Sequence, residues 1–341
     1  MKKISFFLMA SVCMPLLAQS QAASGTTPPN ASKTGFSVAC LSKTPWNTPD
    51  GVPYRQVPGA NLGVTSFELL DNNRAAFLSD ATSEILIIDK TSGRTQSKFA
   101  VVPAPRDFVY DQGFFFVLGE NQVTVYTEQG SAVKNMAFPD GLKGVGRIFR
   151  YNNATWLLLP SGNCMLLAAD DGLSNTAIYK GWITSSGNFI NTAITGHNTY
   201  SVAVHTVDGK DLVQTFPTDK KVAGVYVVGS TANRIMLDVQ TYVTESPICV
   251  ERHLVSISMS GSEIGELKSD LHVPDLYYVL SDKELSVAPD GTVIEMITTT
   301  QGVVLVSLTE TELSRALTYP PELLSAKYHF NDHLVQVREQ K

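Results

Sequence analysis

The chain has 341 residues, and its 26 lysines and arginines against 32 aspartates and glutamates give a formal net charge of −6 at pH 7. The basic residues form no cluster, which argues against a nucleic-acid-binding surface because phosphate binding needs concentrated positive charge. Beyond residue 22 no apolar run approaches the ~20 residues of a membrane-spanning helix, so we predict no membrane span.

The first residues have the layout of a secretory signal peptide. Two lysines precede an apolar run over residues 4–17, and Ser20-Gln21-Ala22 supplies the small residues of a cleavage site. We therefore expect cleavage after Ala22 and a periplasmic or secreted protein. Residues 23–35 contain Thr, Pro, Asn and Ser and are typical of a flexible leader. We expect residues 36–341 to form a single domain.

Residues 64–102 predict four short consecutive strands, at 64–70, 74–79, 84–89 and 95–101. Asp71-Asn72-Asn73 and Lys90-Thr91-Ser92-Gly93 supply turn residues, and Ile85-Leu86-Ile87-Ile88 is an apolar run too short for a helix. A single four-stranded meander cannot bury both of its faces, so it needs neighbours on each side. This pattern predicts one blade of a β-propeller.

The same turn-and-strand frame recurs along the chain. The first hairpin turns of the further units fall within residues 107–113, 147–153, 191–198 and 284–291. Apolar strands follow at residues 114–118, 155–159, 200–204 and 293–297. Residues 225–267 supply another unit, with a long excursion around residues 244–249. The internal repeats therefore predict six blades.

The two chain ends predict a seventh blade. Residues 326–337 repeat the pattern of a hairpin turn followed by an apolar strand. Residues 36–41 and 54–57 are two short strands without a hairpin of their own. A blade built from both ends closes a ring and leaves no open sheet edge. We therefore expect an all-β propeller of seven four-stranded blades whose last blade is shared by N- and C-terminal strands. Six blades are the alternative.

Two sequence segments resemble a known class of repeats. Val287-Ala288-Pro289-Asp290-Gly291 and the segment 123–130, which ends in Glu128-Gln129-Gly130, resemble blades of the seven-bladed propellers of secreted and periplasmic bacterial proteins, of the YVTN and NHL types. The resemblance covers about residues 36–337. None of the three tryptophans is followed by Asp, so the WD-repeat mark is absent. The motif of quinone-binding propellers is also absent, and we predict no cofactor.

In a propeller the first strand of each blade lines the central channel, and ligands usually bind at its entry end. The aligned repeats place a ring of mostly polar residues there, with Ala326 near the seventh position: Ser66, Arg106, Asp107, Arg147, Asn191 and Glu284. A water-filled channel alone would also be lined by polar side chains. The functional hypothesis is a binding funnel for a small polar ligand or a peptide segment.

An enzymatic alternative uses the same ring. Asp107, Asn191 and Glu284 could converge on a calcium ion in a propeller-type hydrolase or lactonase. Arg106 and Arg147 would oppose a cation there. A transition-metal site at His329 and His333 lacks further ligands, and no Gly-x-Ser-x-Gly elbow occurs. We therefore predict no catalytic residue and no metal site.

The favoured function is binding. We expect a monomer that recognises a protein or a cell-envelope component through its loop face or its funnel. After removal of the signal peptide three cysteines remain, Cys40, Cys164 and Cys249. The repeat frame places no two of them in adjacent blades, and a disulfide needs Cα atoms roughly 4.4–6.8 Å apart. We therefore predict no disulfide.

Overall fold

The structure is a computed structural model that describes residues 35–169, 177–184, 186–206, 209, 211–231, 234–246, 248–258, 266–270, 279, 281–288 and 290–311. The regular elements of this part of the chain are all β-strands. No helix long and apolar enough to cross a membrane occurs among these residues.

The strands follow one another in three groups. The N-terminal group is β1 (Gly35–Pro45), β2 (Arg55–Val57) and β3 (Ala60–Leu62). The next three blades comprise β4 (Val64–Leu69), β5 (Arg74–Ser79), β6 (Glu84–Asp89), β7 (Arg94–Ala100), β8 (Asp107–Asp111), β9 (Phe114–Leu118), β10 (Gln122–Thr127), β11 (Ala132–Ala137), β12 (Arg147–Tyr151), β13 (Ala154–Leu158), β14 (Cys164–Ala169) and β15 (Ile178–Tyr179). The remainder comprises β16 (Trp182–Ile183), β17 (Phe189–Gly196), β18 (Thr199–His205), β19 (Asp211–Pro217), β20 (Val222–Ser230), β21 (Arg234–Glu245), β22 (Ile248–Ser258), β23 (Glu266–Asp270), β24 (Leu285–Val287), β25 (Val293–Thr298) and β26 (Gly302–Thr311).

These strands form six four-stranded antiparallel sheets, the blades of a β-propeller. Blades 1 to 5 are β4–β7, β8–β11, β12–β15, β16–β19 and β20–β23, each in chain order. Blade 6 has the order β24-β25-β26-β1, so the N-terminal strand supplies its outer edge. On the channel side β4 contacts β8, β8 contacts β12, β17 contacts β20 and β20 contacts β24.

Both faces of each blade are covered, which explains the continuous apolar strands. Successive side chains of a strand point to opposite faces of the sheet. In β6, Leu86 and Ile88 pack against blade 6, whereas Ile85 and Ile87 pack against blade 2. A strand buried on both faces therefore has no polar side to alternate with.

Six apolar clusters join the blades in a closed ring. Each cluster combines buried side chains of two neighbouring blades, from the pair 1–2 around to the pair 5–6. The sixth joins blade 6 to blade 1, with Met296 and Leu305 against Phe67 and Phe77. This contact closes the ring at six blades, so the prediction of seven is wrong and its six-bladed alternative is confirmed. The predicted blade at residues 326–337 lies outside the described residues.

The ring closes differently from the prediction at its N-terminus as well. Strand β1 runs to Pro45 and pairs with β26 along its length, from Gly35 opposite Thr311 to Pro45 opposite Gly302. Strand β2 does not join a blade but forms a two-stranded hairpin with β3. Closure by N- and C-terminal strands in one blade is therefore confirmed, but with one N-terminal strand instead of two.

The residues of the turns explain why the first hairpin of each blade could be predicted from the sequence. The turn between β8 and β9 has positive φ at Gln112 (50°) and Gly113 (86°), and the turn between β12 and β13 has it at Asn152 (48°) and Asn153 (55°). Two-residue hairpins of this type match the twist of the flanking strands and favour Asn and Gly. In blade 5 the predicted excursion is instead a continuation of the β21–β22 hairpin, in which Glu245 pairs with Ile248.

The three cysteines lie in different blades, and no disulfide joins them. Cys40 is in β1 of blade 6, Cys164 is in β14 of blade 3, and Cys249 is in β22 of blade 5. The Cys164 side chain is buried, which raises the pKa of its thiol to about 11. This cysteine therefore behaves as a small apolar residue of the core.

Candidate functional site

A cavity of about 710 Å³ opens between the channel-side strands of blades 3, 4, 5 and 6. Its charged lining consists of Arg147, Asp238, Arg252, Asp282 and Glu284. Trp182 and Tyr226 add aromatic surface, and Asn191 and Gln240 add amide groups. Pockets of this size, with apolar walls and a few placed polar groups, are the usual form of ligand sites.

Three of the charged side chains form a buried ion-pair cluster between blades 5 and 6. The Arg252 guanidinium donates from Nη2 to Asp238 Oδ2 at 2.8 Å and from Nε to the same oxygen at 3.1 Å. It also donates from Nη1 to Glu284 Oε2 at 2.6 Å. The Arg252 and Asp238 side chains are only 7% and 6% exposed. Burial raises the pKa of Glu284, and the charge of Arg252 opposes this rise.

Arg147 crosses the channel from blade 3 to the segment that leads into blade 6. Its Nη2 donates a hydrogen bond to the backbone oxygen of Asp282 at 3.1 Å. Its guanidinium carbon lies 5.5 Å from the centre of the Trp182 ring. In a six-bladed ring these blades face each other, so this side chain connects opposite walls of the channel.

Asp282 carries the most perturbed carboxyl group of the cavity. Its side chain is open to the channel, but the surrounding walls remove much of its hydration. This burial, together with the charges of Asp107 and Asp80, raises the pKa of Asp282 to about 6, although Arg147 and Arg106 act in the opposite direction. Its backbone N–H donates to the Thr65 carbonyl at 2.8 Å, which holds the segment against blade 1.

The aromatic side chain of Tyr226 projects into the cavity and is 55% exposed. Its ring lies over Gly224, where a Cβ atom would come within 2.5 Å of the ring. The glycine therefore gives the tyrosine ring room to lie along its own strand. A large aromatic group exposed inside a pocket is typical of a binding surface.

The sequence-predicted ring residues divide into two sets. Arg147, Asn191 and Glu284 line the cavity. Ser66 and Asp107 are buried instead and join blades 1, 2 and 3.

The second set forms hydrogen bonds within the protein. Ser66 Oγ donates to Asp107 Oδ1 at 2.7 Å, and the Ile148 N–H donates to Asp107 Oδ2 at 3.2 Å. Arg106 donates to the Val145 carbonyl at 3.4 Å. Around the ring, the Lys283–Glu68 ion pair joins blade 6 to blade 1 in the same way. These residues position the blades, so the aligned repeats located both a cavity-lining arc and a structural arc of one ring.

The metal alternative needs carboxylates that the protein already uses. The Asp107 oxygens accept hydrogen bonds from Ser66 and Ile148, and Glu284 is paired with Arg252. Within the described ranges no group of three or more His, Cys, Asp or Glu side chains is placed to hold a metal ion. His329 and His333 lie outside these ranges.

Sequence reasoning missed Asp238, Arg252, Trp182 and Tyr226. The first two lie on the second and third strands of blade 5, which the repeat frame does not place at the channel. A signal was present nonetheless for one of them, because Asp238 is a single charge within a strongly apolar run. A charge in such a position is rarely buried without a partner.

Comparison with known proteins assigns this chain to no family. No protein-family model and no curated protein matches this sequence. Several solved structures are similar. A Bacteroides fragilis protein described as exported has 10% identity and a TM-score of 0.49, with 84% of this chain and 98% of that chain covered. Virginiamycin B lyase from Staphylococcus aureus has 14% identity and a TM-score of 0.41, with 80% and 99% covered. Kuenenia stuttgartiensis hydrazine synthase has 12% identity and a TM-score of 0.46, with 82% and 78% covered.

Proposed function

We propose that this β-propeller is exported to the periplasm or the medium and acts by binding a protein or a cell-envelope component through its channel cavity. The N-terminal signal-peptide pattern supports export. Intact-mass measurement of the protein recovered from its host tests this, because cleavage after Ala22 predicts a mature chain that begins at Ala23.

The observation that carries the binding function is the way the cavity divides its charges. Asp238, Arg252 and Glu284 satisfy one another and form a rigid wall. Arg147 and Asp282 face the same cavity without belonging to that cluster. Polar groups that are held in place before a ligand arrives reduce the ordering cost of binding. This arrangement supports recognition better than hydrolysis.

The hydrolase alternative would require the carboxylates to leave their present partners. Separating Glu284 from Arg252 would leave a buried guanidinium with one counter-charge fewer. Breaking a buried pair in this way is costly. Calcium-dependent turnover of ester or lactone substrates by the purified protein would nevertheless favour the enzyme over the binding protein.

The test is affinity capture from the envelope and secreted fractions of the host, followed by mass spectrometry. The Arg147→Ala variant should capture less partner, since Arg147 lines the cavity, whereas Arg106 stays unchanged because it donates to the Val145 carbonyl. The matched control is Arg94→Ala, which removes one positive charge from β7, the outer strand of blade 1, where the side chain is 72% exposed. Equal capture by both variants would move the contact away from the cavity.

A further inference from the structure

Arg147 and Asp282 place a hydrogen-bond donor and an acceptor side by side in the lining of the cavity. Arg147 donates to one backbone oxygen, that of Asp282. Among the described residues its guanidinium forms no ion pair within 4.0 Å. A guanidinium carries five N–H donors, so most of them remain available to a ligand. Its guanidinium carbon lies 5.5 Å from the centre of the Trp182 ring, within the range of a cation–π contact.

The carboxyl group of Asp282 is the complementary acceptor. Its backbone N–H and oxygen are bonded to Thr65 and Arg147, but its side-chain oxygens accept no hydrogen bond from the described part of the chain. A ligand that reaches these two residues therefore meets a fork of donors next to an open carboxylate. A simple anion satisfies the first and is repelled by the second.

We infer that the cavity receives the C-terminal end of a peptide chain, with its α-carboxylate on Arg147 and the adjacent amide N–H on Asp282. A chain end presents these two groups on one residue, which matches a donor and an acceptor that lie side by side. The inference rests on the proposed function, since it names the chemistry by which the cavity would recognise a partner. The chain end can belong to a partner protein or to a short free peptide.

The rest of the cavity indicates what the terminal side chain is. Trp182, Tyr226, Val227 and Leu285 also line it. Their surface is apolar and largely aromatic, and a volume of about 710 Å³ accommodates a large side chain together with the residues before it. The preferred terminal residue is therefore a large apolar or aromatic one.

The direct test uses two pools of N-acetyl-Ala-Ala-X tripeptides, with X as Gly, Leu, Phe, Tyr or Trp. One pool has free α-carboxylates and the other has C-terminal amides, and acetate serves as the simple anion. Calorimetry and ligand-observed NMR should show binding of the free acids with large X. The amides should bind about 10- to 100-fold more weakly, because a hydrogen bond to a charged group is lost. Equal binding of acids and amides, or binding of acetate as tight as that of the acids, overturns the inference.

Variants assign the contacts. Arg147→Ala should remove the preference for acids, and Arg147→Lys should restore it only in part because an ammonium group lacks the planar fork. Arg94→Ala is the exposed control. Gly224→Ala displaces the Tyr226 ring and should reduce the preference for aromatic X while the requirement for a carboxylate persists. Wild-type selectivity in a folded Arg147→Ala variant overturns the assignment.

Competition separates the inference from the proposed function. If capture of an envelope partner depends on Arg147 and free-acid peptides do not compete, the proposed function stands and the chain-end inference fails. If the peptides bind as acids and no partner is captured through the cavity, the inference stands and the proposed function fails. Adding Gly-Gly to the C-terminus of a captured protein distinguishes the two sources, since it replaces a large terminal residue and abolishes capture through a protein chain end, whereas capture through other contacts beside a free-peptide site is unchanged.

Discussion

The ion-pair cluster between blades 5 and 6 makes a sharp prediction about stability. Replacing Arg252 with alanine leaves the carboxylates of Asp238 and Glu284 without their shared counter-charge. The Asp238 side chain is 6% exposed and the Glu284 side chain is 20% exposed, so water compensates neither of them well. The truncation also removes hydrogen bonds of 2.8 Å and 2.6 Å.

Removing one partner of a buried ion pair costs about 3–5 kcal/mol, because the remaining charge stays desolvated. A kilocalorie shifts the melting temperature of a domain of this size by about 2 °C, so we expect a fall of about 6–10 °C at pH 7. The loss should shrink at acidic pH. Protonation then neutralises the stranded carboxylates, and burial already raises the pKa of Glu284.

The assay is urea unfolding of a double-mutant cycle with Arg252→Ala, Asp238→Ala and the double variant. The double variant should cost less than the sum of the two single variants, because it leaves no uncompensated charge at position 238. Arg94→Ala, whose side chain is 72% exposed, should stay within about 0.5 kcal/mol of the wild type. Additive single effects, or an Arg252→Ala loss no larger than that of the control, would refute the reasoning.

Three further predictions address other parts of the molecule. Asp282→Asn should stabilise the protein at pH 7, and the gain should disappear below about pH 4. The reason is that the pKa of Asp282 is raised to about 6 in the folded protein, so the wild type loses stability as the pH rises from about 4 to 6. A difference between the melting temperatures of variant and wild type that does not change with pH would contradict this prediction. Thiol counting on the denatured, unreduced mature protein should return three groups, and in the native protein the buried Cys164 should react more slowly than the exposed Cys40. A chain ending after Thr311 contains all six described blades, so we expect it to fold with the melting temperature of the full chain. Aggregation of this shorter chain would show that the last residues contribute to closure.

Local chemistry explains why the strands could be predicted so closely. The limits of β5 (Arg74–Ser79), β6 (Glu84–Asp89) and β9 (Phe114–Leu118) agree with the sequence prediction at every residue. Each follows a turn whose residues favour the required backbone angles, and each is an apolar run of strand length. These determinants lie within a few residues of one another, so no knowledge of distant contacts is needed.

The candidate site could be predicted only in part, for the same reason. The repeat frame aligned Arg147, Asn191 and Glu284 at the cavity because they occupy equivalent places on channel-side strands. It placed Asp107 beside them but could not show that each oxygen of this carboxylate accepts a hydrogen bond, one from blade 1 and one from blade 3. Which polar group faces a ligand depends on neighbours far away in sequence.

The fold class, the hairpin turns and the polar ring could be predicted from local sequence, because turn propensity and the burial of both sheet faces act within single repeats. The number of blades and the pairing of charges depend on tertiary contacts. Closure at six rests on the pairing of β1 with β26 and on apolar contacts between blades 6 and 1, which join segments more than 200 residues apart. A ring closes only when the summed geometry of all its blade interfaces brings the last sheet against the first, and no single repeat contains that information.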